Sequence, residues 1–368
     1  MHDHCFWIGF DRVRGIGSVR TNQLLAYFGD LKTAWFADSG QLSQAGIPEK
    51  VISELLKIRR EIDLEAEIEK IHALGISVIT INDDAYPQLL KPIPNAPPVL
   101  YIKGNILEED QFAIAMVGTR KKTSYGRQVA HELSQFLAEN GITVVSGMAR
   151  GIDTIAHQSA LDAGGRTIAV MGCGLDIIYP PENHQLAAQI IDNGALVSEF
   201  YPGTQPEAVN FPPRNRIISG LARAVVVVEA DVRSGALITA KFALEQTRDV
   251  FAVPGSIYAP RSKGTNRLIS DGALPLLDFN DLLLILNLEQ TADYRYVQQS
   301  LPRTDIESLL LDTIRDEPLH IDEIQNLTGL STDKVSANLT MMELKGFIRK
   351  TGNMTYQAVS DDRGMYEV

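Results

Sequence analysis

Residues Phe112 to Leu161 read FAIAMVGTRKKTSYGRQVAHELSQFLAENGITVVSGMARGIDTIAHQSAL. An apolar run, Phe112–Val117, stops at Gly118 and is followed at once by Thr119, Arg120, Lys121 and Lys122. An amphipathic segment then runs from Tyr125 to Asn140, and Gly141 ends it. A second apolar run, Ile142–Val145, stops at Ser146-Gly147, and another amphipathic segment begins near Asp153. Strand, glycine turn, helix, repeated, is the signature of a parallel α/β sheet. Such sheets bind ligands at the carboxyl ends of their strands, against helix N-termini. Here those ends carry small residues, which let a ligand approach backbone N–H groups, together with Arg120, Lys121, Lys122 and Arg150. The pattern predicts a phosphate-binding edge.

The alternation continues downstream. Strands are expected at Thr167–Met171, Ala195–Ser198, Ala224–Glu229 and Val250–Val253. Helices are expected at Thr154–Ala163, Asn183–Asn193, Asn215–Leu221 and Ala236–Gln246. This is the plan of a Rossmann-like, doubly wound, mainly parallel sheet with right-handed crossovers. Nearly every expected strand ends in a turn rich in small or charged residues: GTRKK, SGMARGID, GCGLDIIYP, SEFYPG, EADVRSGALIT and PGS. One such turn is cheap, but a series after successive strands points to a site. SIYAPRSKGTNRLISDGA then reads as an ordered loop before a last helix.

On the N-terminal side, residues 1–85 read as a small helical domain, closed by a β-like stretch at Ile76–Ile81. Gly15-Ile16-Gly17, between two helical patterns, resembles a SAM-like or helix-hairpin-helix element whose backbone could meet a DNA phosphate. A second reading also stands, in which the glycines only permit the turn. The proline-rich segment Tyr86–Asn105 rules out a regular helix and leads into the sheet, with Val99–Ile102 as a strand. The Rossmann-like domain is placed at 86–286, a polar linker at 287–304 and a winged-helix domain at 305–358. That last domain is read from an amphipathic Ile306–Arg315, a short Ile321–Leu327, a helix capped by Ser331-Thr332-Asp333 and two strands in KGFIRKTGNMTYQ. Its third helix offers Asp333, Lys334, Ser336, Asn338, Thr340 and Glu343, a face that suits DNA or a protein equally.

The whole chain of 368 residues has a net charge of −12, which argues against wholesale coating of nucleic acid and leaves room for a local basic groove. No apolar run has the length of a membrane span, and MHDHCFWIGF lacks the pattern of a signal peptide, so a cytoplasmic location is expected. Seven histidines and two cysteines show no metal-ligand spacing, and Cys5 and Cys173 make no disulfide framework. No metal and no cofactor is expected; in particular GTRKK is not a dinucleotide fingerprint, and Gly172-Cys173-Gly174 lacks its third glycine. Ser146, Asp153 and His157 invite a nucleophilic reading, but no nucleophile elbow surrounds Ser146; the favoured reading has Ser146 and Asp153 shaping the turn and capping the helix, and His157 donating to a carbonyl. Further donors to phosphate lie in PRNRIISGL, with Arg214 and Arg216, and in SGALITAKFAL, with Ser234-Gly235, Thr239 and Lys241.

In order, GTRKKTSYGR, SGMARGIDTIAHQSAL, TIAVMGCGLDIIYPPENHQL, VSEFYPG, NFPPRNRIISGLARAVVVVEA, RSGALITAKFALEQTRDVFAVPG and KGTNRLISDGA resemble the successive motifs of the DNA-processing protein A family, also called Smf. The resemblance spans Tyr86 to Leu277; Thr119 stands where the family usually has serine. It implies a cytoplasmic homodimer, joined through its Rossmann-like domain, that binds single-stranded DNA and loads the RecA recombinase onto it. The setting it implies is natural transformation, or competence, and recombination, with no catalysis. The residues it carries over are Arg120, Ser146, Gly147, Arg150, Asp153, Arg214, Asn215, Arg216, Ser234, Gly235 and Lys241; Gly118, Thr119 and Gly151, in the same turns, are expected to join them at the phosphates. Arg120, Arg150, Arg214 and Lys241 are expected to hold phosphates, the glycine turns to offer N–H groups, and Asp153 to cap its helix and fix the turn. Two alternatives are a nucleoside-monophosphate phosphoribohydrolase-like enzyme and a winged-helix transcription regulator. The first needs a glutamate three residues after a threonine, where Thr239 is followed by Phe242.

Overall fold

The chain opens with helices α1 (His4–Asp11), α2 (Ser18–Phe28), α3 (Leu31–Phe36), α4 (Ser39–Gln44), α5 (Glu49–Glu61) and α6 (Leu64–Ala73). The computed structural model describes residues 4–285, 305–314, 318–344, 348–352 and 354–358; the expected linker at 287–304 lies outside them. Two units are distinguished, Met1–Glu289 and Gln290–Val368. In the first, β1 (Ser77–Thr80) and β2 (Val99–Gly104) follow the helices. Then come β3 (Ala113–Val117), α7 (Ser124–Glu139), β4 (Thr143–Ser146), α8 (Ile152–Asp162), β5 (Thr167–Val170), α9 (His184–Asn193) and β6 (Gly194–Ser198). The unit continues through α10 (Phe211–Gly220), β7 (Ala224–Val227), α11 (Ala236–Glu245), β8 (Asp249–Ala252), α12 (Lys263–Ser270), β9 (Leu274–Pro275) and α13 (Phe279–Ile285).

The strands form one nine-stranded sheet in the order β1-β2-β6-β5-β4-β3-β7-β8-β9. From β6 to β9 every pairing is parallel. The pairings β1-β2 and β2-β6 are antiparallel, so β2 alone runs against the other strands, near one edge. The parallel strands are apolar without interruption because both faces are covered. In β3, Ala113, Ala115 and Val117 join one core layer and Ile114 and Met116 the other. Val225 and Val227 of β7 face the first layer, and Ala224 and Val226 the second.

Local signals set the helix ends. Thr123 caps α7, accepting from the Gly126 N–H at 3.0 Å, and Gly141 follows its end at φ 67°. Helix α10 begins at Phe211, four residues before the expected start. Pro212 and Pro213 sit in its first turn, where their missing N–H groups leave no bond unmade.

The N-terminal helices share a core with the sheet: Phe6, Leu55 and Ile71 pack in one cluster with Tyr101 and Leu196. Polar ties cross the same junction. The Tyr101 hydroxyl donates to Asp11 at 2.7 Å, the Tyr201 hydroxyl donates to Glu67, and the Arg12 guanidinium lies 4.1 Å from the centre of the Tyr201 ring. At the Gly15-Ile16-Gly17 turn, Gly15 takes φ 99° and Ile16 is buried. The turn therefore has a packing reason of its own.

The second unit contains α14 (Asp305–Thr313), β10 (Leu319–His320), α15 (Ile321–Thr328), α16 (Thr332–Leu344), β11 (Ile348–Gly352) and β12 (Thr355–Ala358). The strands pair as β10-β12-β11, adding a short third strand to the expected hairpin. Leu310, Ile324, Val335, Leu339 and Ile348 make the core of this winged helix.

Candidate nucleic-acid interface

The chain leaves β3, builds β4, β5 and β6 on one side of it, then crosses back to lay β7 on the other. The strand order therefore reverses between β3 and β7, and a crevice opens at their carboxyl ends, where doubly wound sheets bind ligands. Three loops build it. The Thr119 N–H donates to the Glu229 carbonyl at 2.8 Å, tying the loop after β3 to the end of β7. The Ile152 N–H donates to the Thr119 carbonyl at 3.2 Å, tying the same loop to α8. Gly151 makes this contact at φ 92°, and a Cβ there would lie 2.7 Å from Arg120 Cα, so no larger residue fits. The carboxylate of buried Glu229 accepts from the Thr123 N–H at 3.0 Å and fixes the far end of the loop.

Beneath the crevice, Asp153 accepts from the N–H groups of Gly147 at 3.2 Å and Ala149 at 3.3 Å. It fixes the turn, as expected, but caps no helix; the cap position of α8 is Gly151. Arg214 donates from Nη1 to the carbonyls of Gly147, at 2.8 Å, and Val170. Both side chains press on Gly147: a Cβ there would lie 2.8 Å from Arg214 Nη2 and 2.9 Å from Asp153 Oδ2. Burial raises the Asp153 carboxyl to about 6, against the nearby Arg214 charge. Burial likewise lowers Arg214 to about 10, partly opposed by Asp153. Arg214 is thus a buried cation that stitches the ends of β4 and β5 while one edge faces the crevice.

The crevice measures about 660 Å³. Of the expected residues, Gly118, Thr119, Arg120, Asp153, Arg214, Asn215, Ser234 and Gly235 line it. Gly147 and Arg150 border a smaller recess beside it, together with Tyr179, Phe211 and Arg214. Arg150 is exposed and pairs with Glu182, Nη2 to Oε2 at 3.1 Å. The rings of Tyr179 and Phe211, 5.6 Å apart, form an apolar wall.

The remaining residues stand apart. Ser146 is wholly buried, and its hydroxyl donates to the Met116 carbonyl at 2.6 Å. Arg216 turns away, held by Glu199 at 2.6 Å and by the carbonyls of Asn95 at 3.0 Å and Pro213 at 2.9 Å. Lys241 lies on the open face of α11, 3.7 Å from Glu245. Helical phase explains both lysine and arginine: each follows a crevice residue, Thr239 or Arg214, by two positions, roughly 200° around the helix. His157 is buried, with Nδ1 2.6 Å from the Thr167 hydroxyl. That hydroxyl donates to the Val144 carbonyl and so accepts from the ring. Burial, reinforced by Arg214, lowers His157 to about 3, so it stays neutral. Ser146 and His157 therefore have separate partners and form no nucleophile–base pair.

Sequence reasoning passed over Arg233. It lines the same crevice as Arg120, from the loop after β7, and is exposed. Its signal was its place just before Ser234-Gly235, a turn already singled out. Among the described residues no group of three His, Cys, Asp or Glu side chains is placed to hold a metal, and no helix is long and apolar enough to cross a membrane.

Residues 77–287 match the family described as DNA recombination-mediator protein A, and residues 297–353 match the DprA winged helix domain. Protein Smf of Synechocystis is 36% identical, the alignment covering 96% of this chain and 98% of that protein. The DNA processing protein DprA of Bacillus subtilis is 40% identical over 72% of this chain and 91% of its own. Among solved structures, DprA of Streptococcus pneumoniae superposes with a TM-score of 0.68 at 36% identity, over 77% of this chain and 98% of that one. The Helicobacter pylori protein, whose structure was described for its single-stranded DNA binding mode, gives 0.52 at 31% identity, over 57% of this chain and 95% of that one. Taken with the sheet order and the glycine turns at its switch point, these likenesses establish that the chain belongs to the DNA-processing protein A (DprA/Smf) family.

Proposed function

We propose that this protein binds single-stranded DNA in the crevice between the ends of β3 and β7, and that as a homodimer it loads the RecA recombinase onto that strand during DNA processing in natural transformation. The observation that carries this reading is the pair Arg120 and Arg233. They line the crevice from the loops after β3 and β7, both exposed, and neither makes an ion pair among the described residues. Two guanidinium forks and the backbone turns at Gly118 and Gly235 suit successive phosphates. A crevice of about 660 Å³ admits one flexible backbone more easily than a stiff duplex. The related Helicobacter protein supports the choice of ligand.

Binding rather than hydrolysis is favoured by the carboxyls. Asp153 is turned onto two backbone N–H groups, and Phe242 stands where a phosphoribohydrolase needs its acid. The test is a mobility shift with single- and double-stranded oligonucleotides of equal length at several salt concentrations. Single strands should bind tighter, with affinity falling steeply as salt rises. Equal affinity for duplex, or a flat salt response, removes the crevice reading. In the same preparation nucleoside monophosphates should yield no free base. Loading should shorten the lag of RecA's ATP hydrolysis on the same oligonucleotide.

A further inference from the structure

The loop after β8 carries a feature that the crevice does not use. The Ala259 N–H donates to the Ser256 carbonyl at 3.0 Å, closing a tight turn with Ile257 and Tyr258 at its tip. Both are unusually exposed for their type, Ile257 at 73% and Tyr258 at 87%. The base of the turn is firmly held. Asn266 accepts from the Gly255 N–H at 3.2 Å and donates to the Gly255 carbonyl at 2.9 Å, and the Ser262 N–H donates to Ala259 at 3.0 Å. An adjacent aliphatic and aromatic pair, held out in water on a firmly bonded turn, offers an apolar surface to a partner.

The position names the partner. Parallel order β3-β7-β8 sets the three carboxyl-end loops side by side, with neighbouring strands about 5 Å apart. The β8 loop is bonded to the loop that carries Arg233: the Ala230 N–H donates to Arg261 at 2.8 Å, and the Gly264 N–H donates to Ala230 at 2.8 Å. It is also bonded to the helix after Arg120, where the Tyr125 hydroxyl donates to the Pro254 carbonyl at 2.9 Å. The turn that carries Tyr258 thus belongs to the carboxyl-end loop next to the one that carries Arg233. Lys263, exposed, lies just beyond in the chain. A flat, exposed aromatic face in the loop next to the one that carries Arg233 suits an unpaired base, since every base has a π-face.

We propose that Tyr258 is a stacking platform for a base of the single strand held in the crevice, lengthening the site by about one or two nucleotides on the β8 side. The proposal rests on the single-strand reading. Stacking engages no phosphate, so it adds affinity without adding salt dependence.

The experiment uses the full chain and a 20-nucleotide thymidine oligonucleotide. Tyr258→Ala should weaken binding about tenfold with an unchanged salt slope, Tyr258→Leu should weaken it equally, and Tyr258→Phe should bind as the parent does. In Tyr258→Trp the introduced indole should be quenched on binding, over a constant background from buried Trp7 and Trp35, and Arg120→Ala in the same chain should move the quenching to higher DNA concentration. If the parent binds and Arg120→Ala weakens it, while Tyr258→Ala and the indole respond to nothing, the platform is overturned and the crevice stands. If the parent does not bind the oligonucleotide, both fall. If Tyr258→Ala changes the mass of the protein in solution and not its DNA affinity, the tip is a protein contact and the proposal is wrong.

Discussion

Arg120 and Arg214 both point to one crevice, yet their chemistry differs because one is exposed and the other is 5% exposed. Arg214 is committed to the carbonyls of Gly147 and Val170, so its removal would leave those acceptors bare and collapse the turn. Arg120 has no such duty. Arg120→Ala should cost about 1–3 kcal/mol of binding, roughly tenfold to a hundredfold. Its salt slope should flatten by about 0.7, one phosphate's share for a single strand. Arg120→Lys should recover part of the loss, since a point charge replaces a fork, and Lys241→Ala should bind normally. Titrations with a labelled oligonucleotide at four salt concentrations check all three. Gly151→Ala tests the backbone beneath. A side chain at φ 92°, with its Cβ 2.7 Å from Arg120 Cα, should cost at least about 2 kcal/mol. Thermal unfolding reads that cost, and the oligonucleotide titration should show binding lost with it.

At the scale of elements, the junction between α1 and β2 carries a pH signature. Burial raises Asp11 to about 7, although it accepts from Tyr101 and feels Arg12; Glu199 adds to the rise. The folded chain thus keeps a proton that the unfolded chain releases near pH 4. This contribution to stability is complete below about pH 4 and is lost as pH rises through about 7. Asp11→Asn is neutral throughout. It should match the parent at pH 4.5 and exceed it at pH 8, as read from urea midpoints at both values. Equal differences at the two pH values would mean that Asp11 is ionised in the folded protein. Helices α10 and α11 make a related point: residues two apart in sequence face opposite ways, so a basic motif on a helix start contributes only one of its cations to the crevice.

For the whole molecule, the net charge of −12 and the basic crevice are compatible because Arg120, Arg214 and Arg233 gather at one switch point. Among the described residues, the third helix of the winged helix gathers no comparable cluster of cations. Val335 and Leu339 of α16 are buried, and the exposed side carries Lys334 with Asp333 and Glu343. Removing Gln290–Val368 should therefore leave single-strand affinity within about threefold and the salt slope unchanged. If that deletion abolishes binding while Arg120→Ala does nothing, the winged helix holds the DNA.

Strand and helix type were written in the chain because they depend on local periodicity: a run such as Ala113–Val117, apolar on both faces, is stable only inside a covered parallel sheet. The turns Gly118–Arg120, Ser146–Asp153 and Ser234-Gly235 were legible for a similar reason, since glycine and charge at strand ends have few structural uses. Tertiary structure alone decided which of their side chains share a space. It placed Arg233 on the crevice, Arg216 against Glu199 and Ser146 under Met116. Those outcomes depend on helix phase and on partners 17 and 30 residues away, which no local window contains. The antiparallel edge of β1 and β2, and the core shared by the N-terminal helices and the sheet, were hidden likewise. Pairing partners and packed faces are chosen by what the rest of the chain leaves uncovered.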